Sequence, residues 1–503
     1  MTARINSVMA ALVLGLAALP TMARAQTTAP AQPPTPPAQP TAPIQLIAPA
    51  PPPGPGPAPL PGATTPLTSP VMPPPRPLQA PPGVRSFFTP PEVVGRELTL
   101  EEAVKIGLEN APKIVAAAGD YAAARQRVFE ALAPLLPQLS GQWGGFQNQV
   151  VSRTAGALNP GAQGRIPNQL VTSQVVTTSG TVTASQLLFD FGKTWAATDA
   201  AKATAESFRQ TVELQRQTIS VNVKTAYWTL LLAKRLVGVN AAALDRALLN
   251  LKSAQGFYAV GTQPKSFVTR AEVDVANGRV SLIQAQNAVA LGRVALNTAM
   301  GISVSAPTEA KDTLAYEPYQ VDSEALVTEA FQHRPDYLAI KSQSDSAQAT
   351  VRQKFRNFFP NVIASGTYGG SREFNEIYNY GVQLTWTLFD GGNMIAQYKE
   401  SKANLDAIQA RVRDTELSVW QDVQQSYLNM IAAEQQIGAA QKAVDSAQEN
   451  FQLSQGRFDA GVANIIELTD AQLALTQAQS SEAQALANYR IAIAQLERAV
   501  GRR

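Results

Sequence analysis

The stretch TLFDGGN, residues 387–393, changes character in its middle. Before it, Val382, Leu384, Trp386 and Leu388 alternate with Gln383, Thr385 and Thr387, the period of two that marks a strand with one apolar face. After it no proline interrupts the chain from Asn393 to Phe458, and the pattern turns helical. Nearly the same junction, QLLFDFGK, stands at 186–193. Phe189 and Phe389, Asp190 and Asp390, Gly192 and Gly392 are each two hundred positions apart.

The offset persists for more than a hundred residues without a gap. It maps Lys202-Ala203 on Lys402-Ala403, Tyr227 on Tyr427, Gln255-Gly256 on Gln455-Gly456, Gly261 on Gly461, and Gly301 on Gly501. That is an internal duplication. Upstream of the junction the offset widens, so that Pro112 matches Pro335 and Pro137 matches Pro360. The difference falls between Pro137 and Phe189, where TAGALNPGAQGRIPNQ (154–169) has loop composition.

The division predicted is a first repeat over 96–301, a connection over 302–320 and a second repeat over 321–503. Each reads helix, Pro, strand, loop, strand, FD-x-G, very long helix, Gly turn, long helix. The strands are expected near 138–151 and 171–188, then near 361–370 and 379–388, with helical hairpins over 193–300 and 393–500. All four strands reach the length that a tilted strand needs to cross a bilayer. Aromatic residues at their ends, such as Trp143, Phe189, Tyr378 and Phe389, suit interfacial girdles, although ordinary sheet packing also favours aromatics. In the second long helix Val423, Met430, Ile437, Val444, Phe451 and Phe458 recur every seven residues. The return helix carries the matching stripe Leu486, Tyr489, Ile493, Leu496 and Val500, a coiled-coil period. Four strands cannot close a membrane barrel, and an open sheet in lipid would leave unpaired edges, so strands placed in a membrane require an oligomer.

The 503 residues carry a net charge of +3 with no basic run to concentrate it, which gives no reason to expect nucleic acid. Arg4, the apolar run Val8–Leu19 and Ala23-Arg24-Ala25 before Gln26 read as a secretory leader over 1–25. Residues 26–95 are dominated by Pro, Ala, Thr and Gly and are expected to form an extended, disordered linker. The chain has no cysteine, hence no disulfide and no expected lipid-anchoring residue. With no cysteine and one histidine, a His/Cys metal cluster cannot be assembled, and neither a G-x-x-x-x-G-K loop nor a nucleophile–base pair is found. No enzymatic activity, metal or cofactor is expected.

This layout resembles the TolC-like outer-membrane efflux proteins. The resemblance rests on LTLEEAVKIGLENAPKI (98–114), on both FD-x-G junctions and on FDAGVANIIELTDAQLAL (458–475), and it covers about residues 96–501. It implies a mainly α fold with membrane β. A homotrimer would share a twelve-stranded outer-membrane barrel, continued by a twelve-helix tunnel across the periplasm. The function implied is a passive exit duct for efflux or type I secretion, docked to a periplasmic adaptor and an inner-membrane efflux pump or ABC secretion transporter. The rival reading is a periplasmic adaptor or stalk built on coiled hairpins without a channel.

On either view Asp190 and Asp390 are placed to cap the long helices, and Gly192 and Gly392 to permit the bend into them. Pro137 and Pro360 mark the passages from helix to strand. Gly261-Thr262 and Gly461-Val462 form the far hairpin tips, where glycine suits a left-handed C-cap. The resemblance makes these the adaptor-docking tips. It also makes Glu467 and Asp470, three apart on one helix face, the acidic residues that narrow the periplasmic entrance. Asn464-x-x-Glu467 reads alternatively as a capping box. Ala463 stands where the TolC pattern has an arginine, and Phe267 where its first repeat has an aspartate, so the links that close that entrance are not reproduced. His333, in HRPD, is expected at a surface helix break.

Overall fold

The computed structural model describes residues 96–153, 170–371, 376–460 and 462–502. The expected leader and linker, the loop 154–169 and Gly461 lie outside the described residues. The first half runs β1 (Glu97–Leu98), α1 (Leu100–Asn110), α2 (Pro112–Leu132), β2 (Gln138–Arg153), β3 (Leu170–Phe189), α3 (Lys193–Ala259) and α4 (Lys265–Met300). The second runs β4 (Glu309–Ala310), α5 (Ser323–His333), α6 (Pro335–Arg356), β5 (Asn361–Ser371), β6 (Glu376–Thr385), α7 (Asn393–Asp459) and α8 (Ile465–Val500).

Pro112 and Pro335 each open a helix directly after a break, at a position where the missing N–H has no intrahelical partner to lose. The two breaks are met in the same way. A Cβ on Gly301 would lie 2.8 Å from the carbonyl oxygen of Asn110, and one on Gly501 would lie 2.8 Å from the carbonyl carbon of His333. Both glycines hold positive φ, 70° and 93°, so each return helix ends where only glycine fits against the break of its own repeat. His333 is exposed at this break.

The 67-residue helices α3 and α7 are each about 100 Å long at 1.5 Å per residue. Each is covered twice. Beside the start of α3 runs α6, tied by Gln343 Nε2 to Ser207 Oγ at 3.2 Å and by Ser346 Oγ to the Ala200 carbonyl at 3.0 Å. Further along, α4 takes over, with Gly292 against Leu230 and Gly278 against Leu244. The heptad positions Val423, Met430 and Phe458 of α7 are buried, as are Leu486, Tyr489, Leu496 and Val500 of α8.

The changeover point is a belt that the sequence pattern did not reveal. There β1 and β4 pair in parallel, Glu97 with Glu309 and Leu98 with Ala310. Tyr227, fully buried, donates its hydroxyl to the carbonyls of Leu98 and Lys311 at 3.1 and 2.8 Å. Tyr489, equally buried, accepts from the Tyr319 N–H at 3.0 Å and donates to the Glu317 carbonyl at 3.1 Å. Two buried tyrosines thus staple the extended connection between the repeats to the helices. Their hydroxyls satisfy backbone groups that would otherwise be buried unpaired.

A four-stranded antiparallel sheet, ordered β2-β3-β5-β6, stands at the other end of the long helices. Its rungs alternate in chemistry. Gly141, Val182, Tyr368 and Tyr378 face each other across one rung; the adjacent rung is Ser140, Thr183, Thr367 and Asn379. Thr183 and Thr367 join their hydroxyls at 3.0 Å on the polar side. Trp143, Tyr378, Tyr380, Val382 and Leu384 are exposed on the other. In a single chain β2 and β6 each have a partner on one side only, which leaves two open edges.

The first strand pair outlasts the second: β3 pairs with β5 only from Ser179 onward, so residues 145–153 and 170–178 form a two-stranded ribbon about 30 Å long at the usual rise. β6 ends at Thr385 rather than at Leu388. Its partner Asn361 follows Pro360, which has no N–H to continue the ladder, and the Trp386 indole instead donates to the Phe358 carbonyl at 3.0 Å.

Candidate functional site

At each FD-x-G junction a strand passes into a helix more than sixty residues long. The residue that flanks the first helical position is Gly192 in one copy and Gly392 in the other, with φ of 80° and 87°. The aspartates act from two residues before it. Asp190, buried, accepts from the N–H of Gly192 at 2.9 Å and of Thr194 at 2.7 Å. Asp390 accepts from the Met394 N–H alone, at 2.9 Å. Both carboxylates therefore satisfy orphan donors of the first turn, from two residues outside the usual capping position. Between aspartate and glycine the copies diverge. Gly391 takes φ 70°, whereas Phe191 takes φ 55° and is the one non-glycine with positive φ among the described residues. Its ring lies on Phe359 at 5.2 Å and against Phe189 at 4.7 Å, contacts that offset the backbone strain. Arg356 donates to the Gly192 carbonyl, tying the end of α6 to the start of α3. Pro137 and Pro360 immediately precede β2 and β5.

The opposite ends of the long helices are the hairpin tips. The first closes with two nested bonds, from the Thr262 N–H to the Phe257 carbonyl and from the Gly261 N–H to the Tyr258 carbonyl, both 3.0 Å, around Gly261 at φ 75°. This is the glycine C-cap in its paired form. The second tip shows the same outer bond, from the Val462 N–H to the Arg457 carbonyl at 3.0 Å; its central residue, Gly461, is not among the described ones. Val260 and Val462 are exposed at the two turns.

Asn464 caps α8 by accepting from the Ile466 N–H at 3.2 Å. The side chain of Glu467 does not complete a capping box. It accepts from Arg457 Nη1 at 2.7 Å, linking the last turn of α7 to the first turn of α8. Asp470, one turn further, is exposed and makes no ion pair among the described residues. Glu467 and Asp470 share one side of α8; Ile465, Leu468, Ala471 and Leu475 are buried on the other. Phe267 and Ala463, which depart from the polar pattern of the resemblance, pack together with Phe257, Phe451 and Phe458 in one apolar cluster.

Above this cluster a cleft of about 290 Å³ opens between α3, α4 and α8, lined by Asn240, Asn250, Asp274 and Gln472 among others. Burial pushes the Asp274 carboxyl above its ordinary value, against the pull of Arg270. Arg246 is lowered by burial; its guanidinium lies over the Phe451 ring at 5.8 Å. No group of His, Asp and Glu among the described residues is arranged to hold a metal ion, and no described helix is long and apolar enough to cross a membrane.

Arg457 escaped sequence reasoning because it lies ten residues from Glu467 across a turn, and only the hairpin closure brings them together. The meeting of Phe257 with Phe458 was equally hidden, since their helices belong to different repeats.

The outer membrane efflux protein family matches residues 104–302 and 326–502. Outer membrane protein TolC of Escherichia coli is 24% identical over 410 residues, covering 78% of this chain and 79% of that protein. The pyoverdine export outer membrane protein OpmQ of Pseudomonas aeruginosa is 24% identical over 410 residues, covering 80% of this chain and 83% of that protein. In three dimensions the chain is similar to the outer membrane protein VceC from Vibrio cholerae, with a TM-score of 0.69 at 20% identity over 80% of this chain and 96% of VceC. The outer-membrane channel OprN gives a TM-score of 0.70 at 17% identity, over 80% of this chain and 89% of OprN. The chain belongs to the outer membrane efflux protein family. It is an efflux channel of the outer membrane, not an enzyme, and the adaptor-or-stalk reading falls with that assignment.

Proposed function

We propose that three copies of this chain close one twelve-stranded barrel in the outer membrane, continued by a tunnel of twelve helices into the periplasm. The observation that carries this is the sheet. Its apolar face is exposed, its polar face lines up hydroxyls and amides, and both edges are open. Lipid covers the first face, water the second, and neighbouring copies the edges; no other placement satisfies all three. Exposed apolar residues on α4 (Val273, Val280, Ile283) and α7 (Leu417, Trp420, Leu428) lie on the two helices that flank the α3–α8 pair, where the next copies would pack.

The duct is passive. Cargo reaches it from an inner-membrane transporter through a periplasmic adaptor that engages the tips around Gly261-Thr262 and Gly461-Val462. Glu467 and Asp470 line the periplasmic entrance in rings of three and favour cations. Residues 1–25 direct export and are removed. Asp190, Gly192, Asp390, Gly392, Pro137 and Pro360 set the passages between barrel and tunnel.

The test is purification of the trimer from membranes followed by single-channel recording in planar bilayers. Wild type should give small cation-selective currents, and Glu467→Gln/Asp470→Asn should lose the selectivity. A chain that washes from membranes without detergent and runs as a monomer would sink the proposal.

A further inference from the structure

The two hairpins of the chain meet along one seam, between α3 and α8, and the seam changes character along its length. From Leu231 in the belt to Ala254 near the tip, α3 buries few apolar side chains, and the groove against α8 is the polar cleft described above. The ties there are amides and a guanidinium. Asn250 Nδ2 donates to Gln472 Oε1 at 2.9 Å, Gln472 Nε2 to the Ala243 carbonyl at 3.1 Å, and Arg246 Nη2 to Thr476 Oγ1 at 3.4 Å. Then, in the last turns before the tips, the contact becomes apolar. Phe257 at the end of α3 meets Phe458 at the end of α7 edge to face, with centroids 5.8 Å apart. Ala254, Ile465 and Leu468 are buried around them, and Phe267 and Ala463 pack on the outside. Phe458 itself is 7% exposed, although it lies one residue from the end of its helix.

A helix terminus at the free end of a hairpin has few neighbours, yet here the last member of the α7 stripe is buried against an aromatic residue of the other hairpin. We propose that this cluster is the clasp that holds the entrance shut: Phe257 and Phe458 lock the second hairpin of each chain against the first, by apolar contact rather than by charge. The proposal rests on the reading of the tips as the periplasmic entrance. The two positions at which the polar pattern of the resemblance is lost, Phe267 and Ala463, both belong to the clasp. The long polar seam above it acts as the flexible arm. Spreading the tips exposes the aromatic rings, and an adaptor that inserts apolar side chains between them supplies what the rings lose. Because apolar contacts are not screened by salt, closure is insensitive to ionic strength, which a latch of surface ion pairs would not be.

The chain has no cysteine, so Phe257→Cys/Phe458→Cys can be studied without other thiols. Trimers of this variant are recorded in planar bilayers reduced, and again after treatment with a short bifunctional thiol reagent. The reduced form should pass several-fold more current than wild type, and the cross-linked form should return to the wild-type level, which also shows that the variant is folded. Wild-type closure should be unchanged between low and high salt. Equal currents from wild type, reduced and cross-linked forms overturn the clasp and leave the duct standing. No current from any form, the reduced one included, overturns both. A wild-type open probability that rises steeply with salt, beyond the ordinary rise in conductance of the electrolyte, overturns the apolar nature of the lock.

Discussion

Arg457 and Glu467 face each other across the tip of the second hairpin, Nη1 to Oε1 at 2.7 Å, while Asp470 one turn away is unpaired among the described residues. Both partners of the pair are substantially exposed, 58% and 39%, so it adds at most about 1 kcal/mol to stability. Its consequence is for charge: one of the two carboxylates proposed for the entrance is offset. Arg457→Gln should leave thermal stability nearly unchanged and raise cation preference, most visibly at low salt. Reversal potentials under a salt gradient check this; an unchanged or anion-shifted potential would remove Glu467 from the ion path.

The junction aspartates differ in what they hold. Asp190 accepts two backbone N–H bonds and is buried, whereas Asp390 accepts one. Loss of a cap costs roughly 1 kcal/mol, more where the donors are left buried. Asp190→Ala should therefore lower the unfolding temperature of the protein further than Asp390→Ala does, and Asp190→Asn should recover part of the loss. Equal effects in the two alanine variants would show that burial of the first junction adds nothing.

Gly301 and Gly501 carry the duplication into three dimensions. Each combines a positive φ with backbone atoms of a helix break within 3 Å of where a Cβ would stand. Alanine at either site meets both penalties, on the order of 2–3 kcal/mol. Gly261, also at positive φ, has open space around it and should tolerate alanine at about 1 kcal/mol. Denaturant titration of the three variants gives the ranking, and a Gly261→Ala as damaging as Gly501→Ala would contradict it.

Acid should loosen the belt. A hydrogen bond from Lys234 at 2.6 Å, aided by the charges of Lys234 and Arg293, holds the Glu309 carboxyl below its ordinary value. A carboxylate lowered by folding stabilises the fold above its unfolded pKa and loses that contribution as pH falls through the folded one, which for Glu309 lies below the ordinary carboxylate value. The side chain is 45% exposed, so the contribution is on the order of 0.5–1 kcal/mol after screening. Glu309→Gln should be less stable at neutral pH and should lose less on acidification. A stability difference from wild type that stays constant between pH 7 and pH 3 would refute this.

The duplication, the strand lengths, the FD-x-G junctions and the heptad stripe of α7 are all periodic or identical features, and periodicity is local. A residue's face on a helix or strand follows from its spacing to neighbours in the same element. For that reason the inward positions of Val423, Met430 and Leu496 were legible from spacing, and Pro112 with Pro335 and Gly301 with Gly501 could be paired by offset alone. The tertiary structure decided what meets across elements. The parallel pairing of Leu98 with Ala310, the hydroxyls of Tyr227 and Tyr489 on the inter-repeat connection, Arg457 on Glu467 and Phe257 on Phe458 each join residues from different elements. Strands of two residues have no period, a single tyrosine has no pattern, and a turn hides which side chains it brings together. The sequence by itself determined the long elements and the faces they bury; only the packing of the two hairpins on each other decided which side chains meet at their tips.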